Sequence, residues 1–237
     1  MFGYYLSGTW LYIVLVVPAF ILALIAQAGV KSTYNKMGRI ENTGGYSGAQ
    51  AAAAVLRFYG ITNVAIEAID GKLSDHYDPR TNVIRLSKGV YYGKSIAAVG
   101  IACHEAGHAA QHAEGYVPIR IRNAIIPVCN IGSYAGIPLA FLGYFLSFEP
   151  LILVGLGLYS FIMIFQLGTL PVELNASKRA INVIEETGLL ADGEEIKGAR
   201  KMLTAAAMTY VASLAVSIAN LLRYAIMFLG IGRNGRR

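Results

Sequence analysis

Four stretches of the chain contain no Asp, Glu, Lys, Arg or His: Met1–Val30, Asn123–Phe148, Pro150–Val172 and Met202–Leu222. A helix needs about 20 apolar residues to cross a bilayer, and each stretch is long enough. A charge at the centre of such a helix costs about 2.5–3.5 kcal/mol on insertion scales, so charge-free runs of this length mark spans. The first run reads as a span from Tyr4 to Ala28 rather than a cleaved signal. It lacks a basic leader, it is too long, and Gln27-Ala28-Gly29-Val30 is a poor cleavage site. Pro18 is expected to kink it. The second and third runs meet at Ser147-Phe148-Glu149-Pro150, a turn short enough for a hairpin. The fourth is rich in Ala, Ser and Thr, small residues that suit close packing of membrane helices. A helix lying against the other spans is the alternative for it.

Between these runs lie two polar blocks, Lys31–Arg122 and Glu173–Lys201. In the first, Gly48–Gly60 has the pattern of a helix closed by Gly60. Val64–Ile69 and Asn82–Ser87 have the β-branched, apolar character of short strands, with Asp75–Pro79 as a turn between them. A long helix follows from about Ser95 to about Glu114, closed by Gly115. Asp192–Lys197 reads as a solvated turn.

Composition supports this division. Of 237 residues, 55% are hydrophobic and 14% charged, against about 25% charged in soluble domains. This excludes an ordinary soluble domain and a disordered chain, and two cysteines exclude a disulfide scaffold. The expected fold is a mainly α membrane protein: about four transmembrane helices with a small α+β domain. The segments expected are 1–30 (first span), 31–122 (the α+β domain), 123–172 (hairpin), 173–201 (helical segment) and 202–237 (fourth span and basic tail).

Sixteen of the twenty basic residues fall in the two polar blocks. By the positive-inside rule that side is cytoplasmic, in a multi-pass protein of a bacterial-type plasma membrane. The tail residues Arg233, Arg236 and Arg237 disagree if the fourth run spans. The +6 net charge needs no nucleic acid; contact with an anionic lipid bilayer accounts for it. Nothing in the pattern fixes an oligomeric state.

The chemistry lies on the long helix. His104-Glu105-Ala106-Gly107-His108 matches H-E-x-x-H. Residues i and i+4 share a helix face, so two imidazoles can converge on one metal, and the Glu beside the first can act as general base. Small residues around the motif let the helix pack deep in a core. Catalytic zinc takes three protein ligands and one open position. The metzincin continuation fails, because Gln111 and Glu114 stand where a Gly and a His are needed. His112 lies about 12 Å along the axis from His104, too far for one ion. Glu173 is the better third ligand: a carboxylate at the mouth of a span is costly unless it pairs or binds something. Pro171 is well placed near the start of a following helix, and a first-turn Glu favoured by the helix dipole is the alternative for Glu173.

Cys103–His112, Leu170–Ala180 and Ala205–Val211 together resemble the YugP-like membrane zinc metallopeptidases, over nearly the whole chain. Wider relatives are the HtpX-type and CAAX prenyl membrane proteases, which pair H-E-x-x-H with a distant Glu and carry an Asp four residues after it. Here that position is Ser177, so a carboxylate to orient a zinc His is absent, and Asn175 or Ser177 stands in its place. The resemblance implies that residues 31–122 are a zincin-like catalytic domain carrying H-E-x-x-H on a helix, with one Zn2+ per chain bound by His104, His108 and Glu173, and Glu105 as base. It implies a polypeptide substrate hydrolysed by a zinc-activated water. The further donor for the oxyanion is to be sought among His76, Tyr77, Arg179 and Tyr210. The Asn82–Ser87 strand is either an edge for an extended substrate or an ordinary sheet strand. The competing function is a catalytically silent membrane protein with a structural zinc for partner binding, which would not need Glu105. A metal carrier would need ionisable residues in its spans, and these are almost free of them.

Overall fold

The computed structural model describes Trp10, residues 12–191 and residues 193–229. The expected start of the first span at Tyr4 and the tail residues Arg233, Arg236 and Arg237 lie outside the described residues. The chain is a mainly α membrane protein. Among the described residues four helices are long and apolar enough to cross a membrane: Tyr12–Met37, Val117–Phe145, Glu149–Thr187 and Glu194–Leu229. The fold divides into two compact units. One comprises Met1–Ala26, Arg120–Leu170 and Thr209–Arg237, the other Gln27–Ile119 and Pro171–Met208.

In the first unit, the N-terminal helix opens as a π-helical turn, Tyr12–Val16, and continues as α1, Val17–Met37. Pro18 has no N–H, so the carbonyl four residues before it loses its α-helical donor, and the wider turn stands at that place. The helix runs past the expected end at Ala28 because polar residues end an apolar window without ending a helix.

Helices α5 (Val117–Phe145) and α6 (Glu149–Thr187) form the hairpin. Ser147, at φ +52°, makes the turn between them. Their backbones touch through glycines. A β-carbon on Gly132 would run into the Leu158 carbonyl, and one on Gly155 into the Ala140 amide. Small residues permit this approach where lipid supplies no hydrophobic driving force between helices. Phe141 of α5 and Phe228 of α7 (Glu194–Leu229) add an edge-to-face ring pair with centroids 5.0 Å apart.

The second unit is built on α2 (Gly48–Phe58), a three-stranded sheet, the short α3 (Lys88–Tyr91) and α4 (Ile96–Ala113), with the parts of α6 and α7 that fall in it. Ser47 and Gln50 form a capping box at the start of α2, and Gly60 takes φ +66° just past its end. The strands are β1 (Ala65–Ile69), β2 (His76–Asp78) and β3 (Val83–Ser87), in the order β1-β3-β2. β1 is parallel to β3 with Ala65 opposite Val83, and β2 is antiparallel with Tyr77 opposite Ile84. Ile84 and Leu86 are fully buried in a core with Val55, Val99, Ala102, Val183, Ile184 and Leu190.

Four expectations are corrected. Asp75–Pro79 is largely a strand and not a turn. Its carboxylates brace both ends: Asp75 accepts from the Ser87 N–H at 2.7 Å, and Asp78 pairs with Arg85 at 3.0 Å. Strand β3 is therefore central, with a neighbour on each side, and cannot be the edge for a substrate. Pro171 lies inside α6 and starts no helix, so Glu173 is not a first-turn residue and the helix dipole gives no account of it. Membrane helices accommodate such prolines because neighbouring groups satisfy the freed carbonyl. Helix α7 begins at Glu194, so the turn expected at Asp192–Lys197 is shorter.

Candidate metal centre

Helix α4 has well-formed ends. The Ser95 hydroxyl accepts from the Ala98 N–H at 3.1 Å, and Gly115 takes φ +66° after the C-cap Glu114. Between them, Ile96 to Gln111 is buried at every position except His104, which is half-buried. Small side chains let neighbouring elements approach an α-helix closely on all sides, and here half of the positions are Ala or Gly. At Gly107 a β-carbon would stand 2.8 Å from the Ala176 carbonyl oxygen of α6. That contact sets α4 against the turn of α6 that carries Glu173 and Ser177.

The donor atoms of His104, His108 and Glu173 lie within 4.8 Å of one another. Glu173 Oε2 is 3.3 Å from His104 Nε2 and 3.4 Å from His108 Nε2. Two ligand atoms about 2.1 Å from one tetrahedral zinc stand about 3.4 Å apart, so these separations match the edges of a zinc coordination tetrahedron. The imidazole rings are nearly perpendicular, with centroids 4.7 Å apart. The donor set of two His and one Glu is that of an open zinc site with a place left for water. Glu105, next to His104 in the sequence, is buried, and its carboxylate acts electrostatically on His108.

Burial disfavours a charged His108, but the carboxylates of Glu173 and Glu105 outweigh it and raise its pKa above the ordinary histidine value. Burial pushes the neighbouring Cys103 thiol well above the usual range, and its sulfur is not among the converging donor atoms.

The outer nitrogen of each imidazole has a partner. Ser177 Oγ, one turn after Glu173 on α6, is 3.1 Å from His104 Nδ1. His108 Nδ1 lies 3.0 Å from Gln111 Oε1. The amide of Gln111, fully buried, donates to the Val172 carbonyl at 2.8 Å and to Asn175 Oδ1 at 3.0 Å. Sequence reasoning weighs Gln111 only as a failed metzincin position. Its signal is present, since it stands three residues after a ligand on an otherwise small and apolar helix.

The remaining candidates fall in different places. Asn175 Oδ1 also accepts from Arg179 Nε at 2.8 Å. The Arg179 guanidinium pairs with Glu114 at 2.7 Å and lies over the rings of Tyr59 and Tyr116. The guanidinium is thus engaged through Nε and one terminal nitrogen. His76 is exposed, with Nδ1 2.8 Å from the Ser74 carbonyl oxygen. The Tyr77 hydroxyl donates to Asn82 Oδ1 at 3.0 Å and is 2.9 Å from His112 Nδ1, so His112 is held by β2 and not by the metal cluster. Burial and the Asp78 carboxylate raise the Tyr77 pKa. Tyr210 is half-buried on α7.

Residues 12–229 match a family model described as "putative neutral zinc metallopeptidase". Among curated proteins, the chain is similar to the "putative membrane protease YugP" of Bacillus subtilis (strain 168). Identity is 46% over 228 residues, covering 95% of this chain and 98% of that protein. No solved structure matches.

Proposed function

Because the chain belongs to the neutral zinc metallopeptidase family, we propose that it is a membrane endopeptidase hydrolysing peptide bonds of membrane or membrane-proximal polypeptides. The observation that carries this reading is the convergence of the donor atoms of His104, His108 and Glu173 within 4.8 Å of one another, with Glu105 next to His104 in the sequence. Structural zinc needs no base, whereas a hydrolase does.

His104, His108 and Glu173 would hold a single zinc. When bound, zinc supplies Lewis acidity and brings the pKa of a water to about 7. Glu105 would be the general base that accepts a proton from the attacking water and returns it to the departing amine, which cannot leave as an anion. Arg179 is held by Glu114 and Asn175 and acts from behind the site. The concentration of basic residues in the two polar blocks favours a cytoplasmic active site.

The test compares new peptide N-termini in membranes carrying wild type and Glu105→Gln, matched for zinc content. Cleavage products present only with wild type are expected. If none appear while both proteins hold one zinc, the protease reading fails and a structural zinc site for partner binding replaces it.

A further inference from the structure

Behind His108 runs a chain of hydrogen bonds whose direction is fixed at both outer ends. The Val172 carbonyl can only accept, and Arg179 Nε can only donate. Asn175 must therefore turn its oxygen toward Arg179, and that same oxygen faces Gln111. Gln111 must turn its NH2 toward both Val172 and Asn175, which leaves its oxygen facing His108 Nδ1. That oxygen can only accept, so the proton of a neutral His108 sits on Nδ1 and the lone pair on Nε2. His104 has no such constraint, since the Ser177 hydroxyl can donate or accept. Arg179 in turn is fixed by Glu114 and by two aromatic rings.

We propose that Gln111 is a positioning residue of the metal centre, locked by Asn175 and Arg179, that holds His108 with Nε2 turned to the metal. The inference rests on His108 being a ligand and goes beyond the family reading in assigning roles to Gln111, Asn175 and Arg179. A carboxamide is required at 111. A carboxylate would also accept from Nδ1, but it would face two further acceptors, Val172 O and Asn175 Oδ1. At 175 only the acceptor is required, so Asp replaces Asn without breaking the chain. A merely structural role would not produce this asymmetry between two amide positions.

The experiment uses the full-length protein in lipid nanodiscs. Zinc affinity is measured against a chromophoric chelator, and the ligand geometry by the d–d spectrum of the cobalt(II) form. Gln111→Leu and Gln111→Glu are expected to lose about 10- to 100-fold in zinc affinity and to shift the cobalt spectrum, while Asn175→Asp stays within about threefold of wild type. The proposal is overturned if either Gln111 variant keeps wild-type affinity and spectrum, or if Asn175→Asp loses as much as Asn175→Leu. Should the Gln111 variants fail to fold, Asn175→Leu carries the test, because it breaks the chain at a half-buried position. Wild-type affinity there also overturns the proposal. These readouts do not depend on turnover. Loss of zinc in the Gln111 variants together with unchanged cleavage in Glu105→Gln would sink the protease reading and leave this one standing.

Discussion

The backbone of Gly107 faces the carbonyl of Ala176 so closely that a β-carbon on the glycine would stand 2.8 Å from the oxygen. Real β-carbons do not approach carbonyl oxygens so closely. The two central residues of the motif are thus not equivalent spacers. Ala106 fills the core, and Gly107 lets the helix bearing Glu173 come within coordination range.

This gives opposed effects for one substitution. Gly107→Ala raises helix propensity by about 1 kcal/mol but forces α4 and α6 apart, at a cost of about 1–3 kcal/mol. Zinc affinity is expected to fall about tenfold or more even if the melting temperature hardly moves. Gly100→Ala is the control, because its β-carbon would meet Ala199 at an ordinary 3.6 Å. Chelator competition on both variants decides it; equal affinities would show that the close contact does not set the ligand geometry.

Metal binding should depend on pH with a defined sign. His108 must lose its proton to ligate, and its pKa in the metal-free protein is raised above the unfolded value. Below the unfolded pKa of about 6.5, this shift contributes its full stabilisation to the metal-free protein, and the contribution is lost as pH rises through the folded pKa. Over the same rise the proton stops competing with zinc. Apparent zinc affinity is therefore expected to increase from about pH 6 and to level off above the folded pKa of His108. Zinc titrations between about pH 6 and pH 9 test this, and an affinity falling over that interval would contradict it.

The hairpin makes a prediction independent of the metal. Gly155 packs against the backbone of α5, whereas a β-carbon on Gly157 would meet nothing within 4 Å. Gly155→Leu is expected to destabilise the protein by about 1–3 kcal/mol or prevent its accumulation, and Gly157→Leu to be tolerated. Thermal unfolding in detergent distinguishes them.

What the sequence disclosed follows from the range of the forces involved. The four long helices are visible in charge-free windows because a bilayer acts on each segment separately. The pair His104 and His108 is visible because four residues fix a helix face. Glu173 stands out as a carboxylate next to an apolar run. Gln111 was missed because its partners Val172 and Asn175 are 61 and 64 residues away. Strand β2 was missed because three polar residues become a strand only through pairing with β3. Pro171 misled because proline at the start of a helix is a statistical preference of soluble proteins, and this helix is long, apolar and continuous.

The order of the ligands along the chain also governs when the site can exist. His104, Glu105 and His108 precede helix α5, and Glu173 follows the apolar part of α6, so the entire hairpin is synthesised between them. A chain halted anywhere from residue 109 to 172 has both imidazoles and Glu105 but lacks Glu173. It also lacks the Ala176 backbone against which Gly107 packs. Assembly is deferred until the hairpin is complete, and an unfinished copy has no converged set of donor atoms.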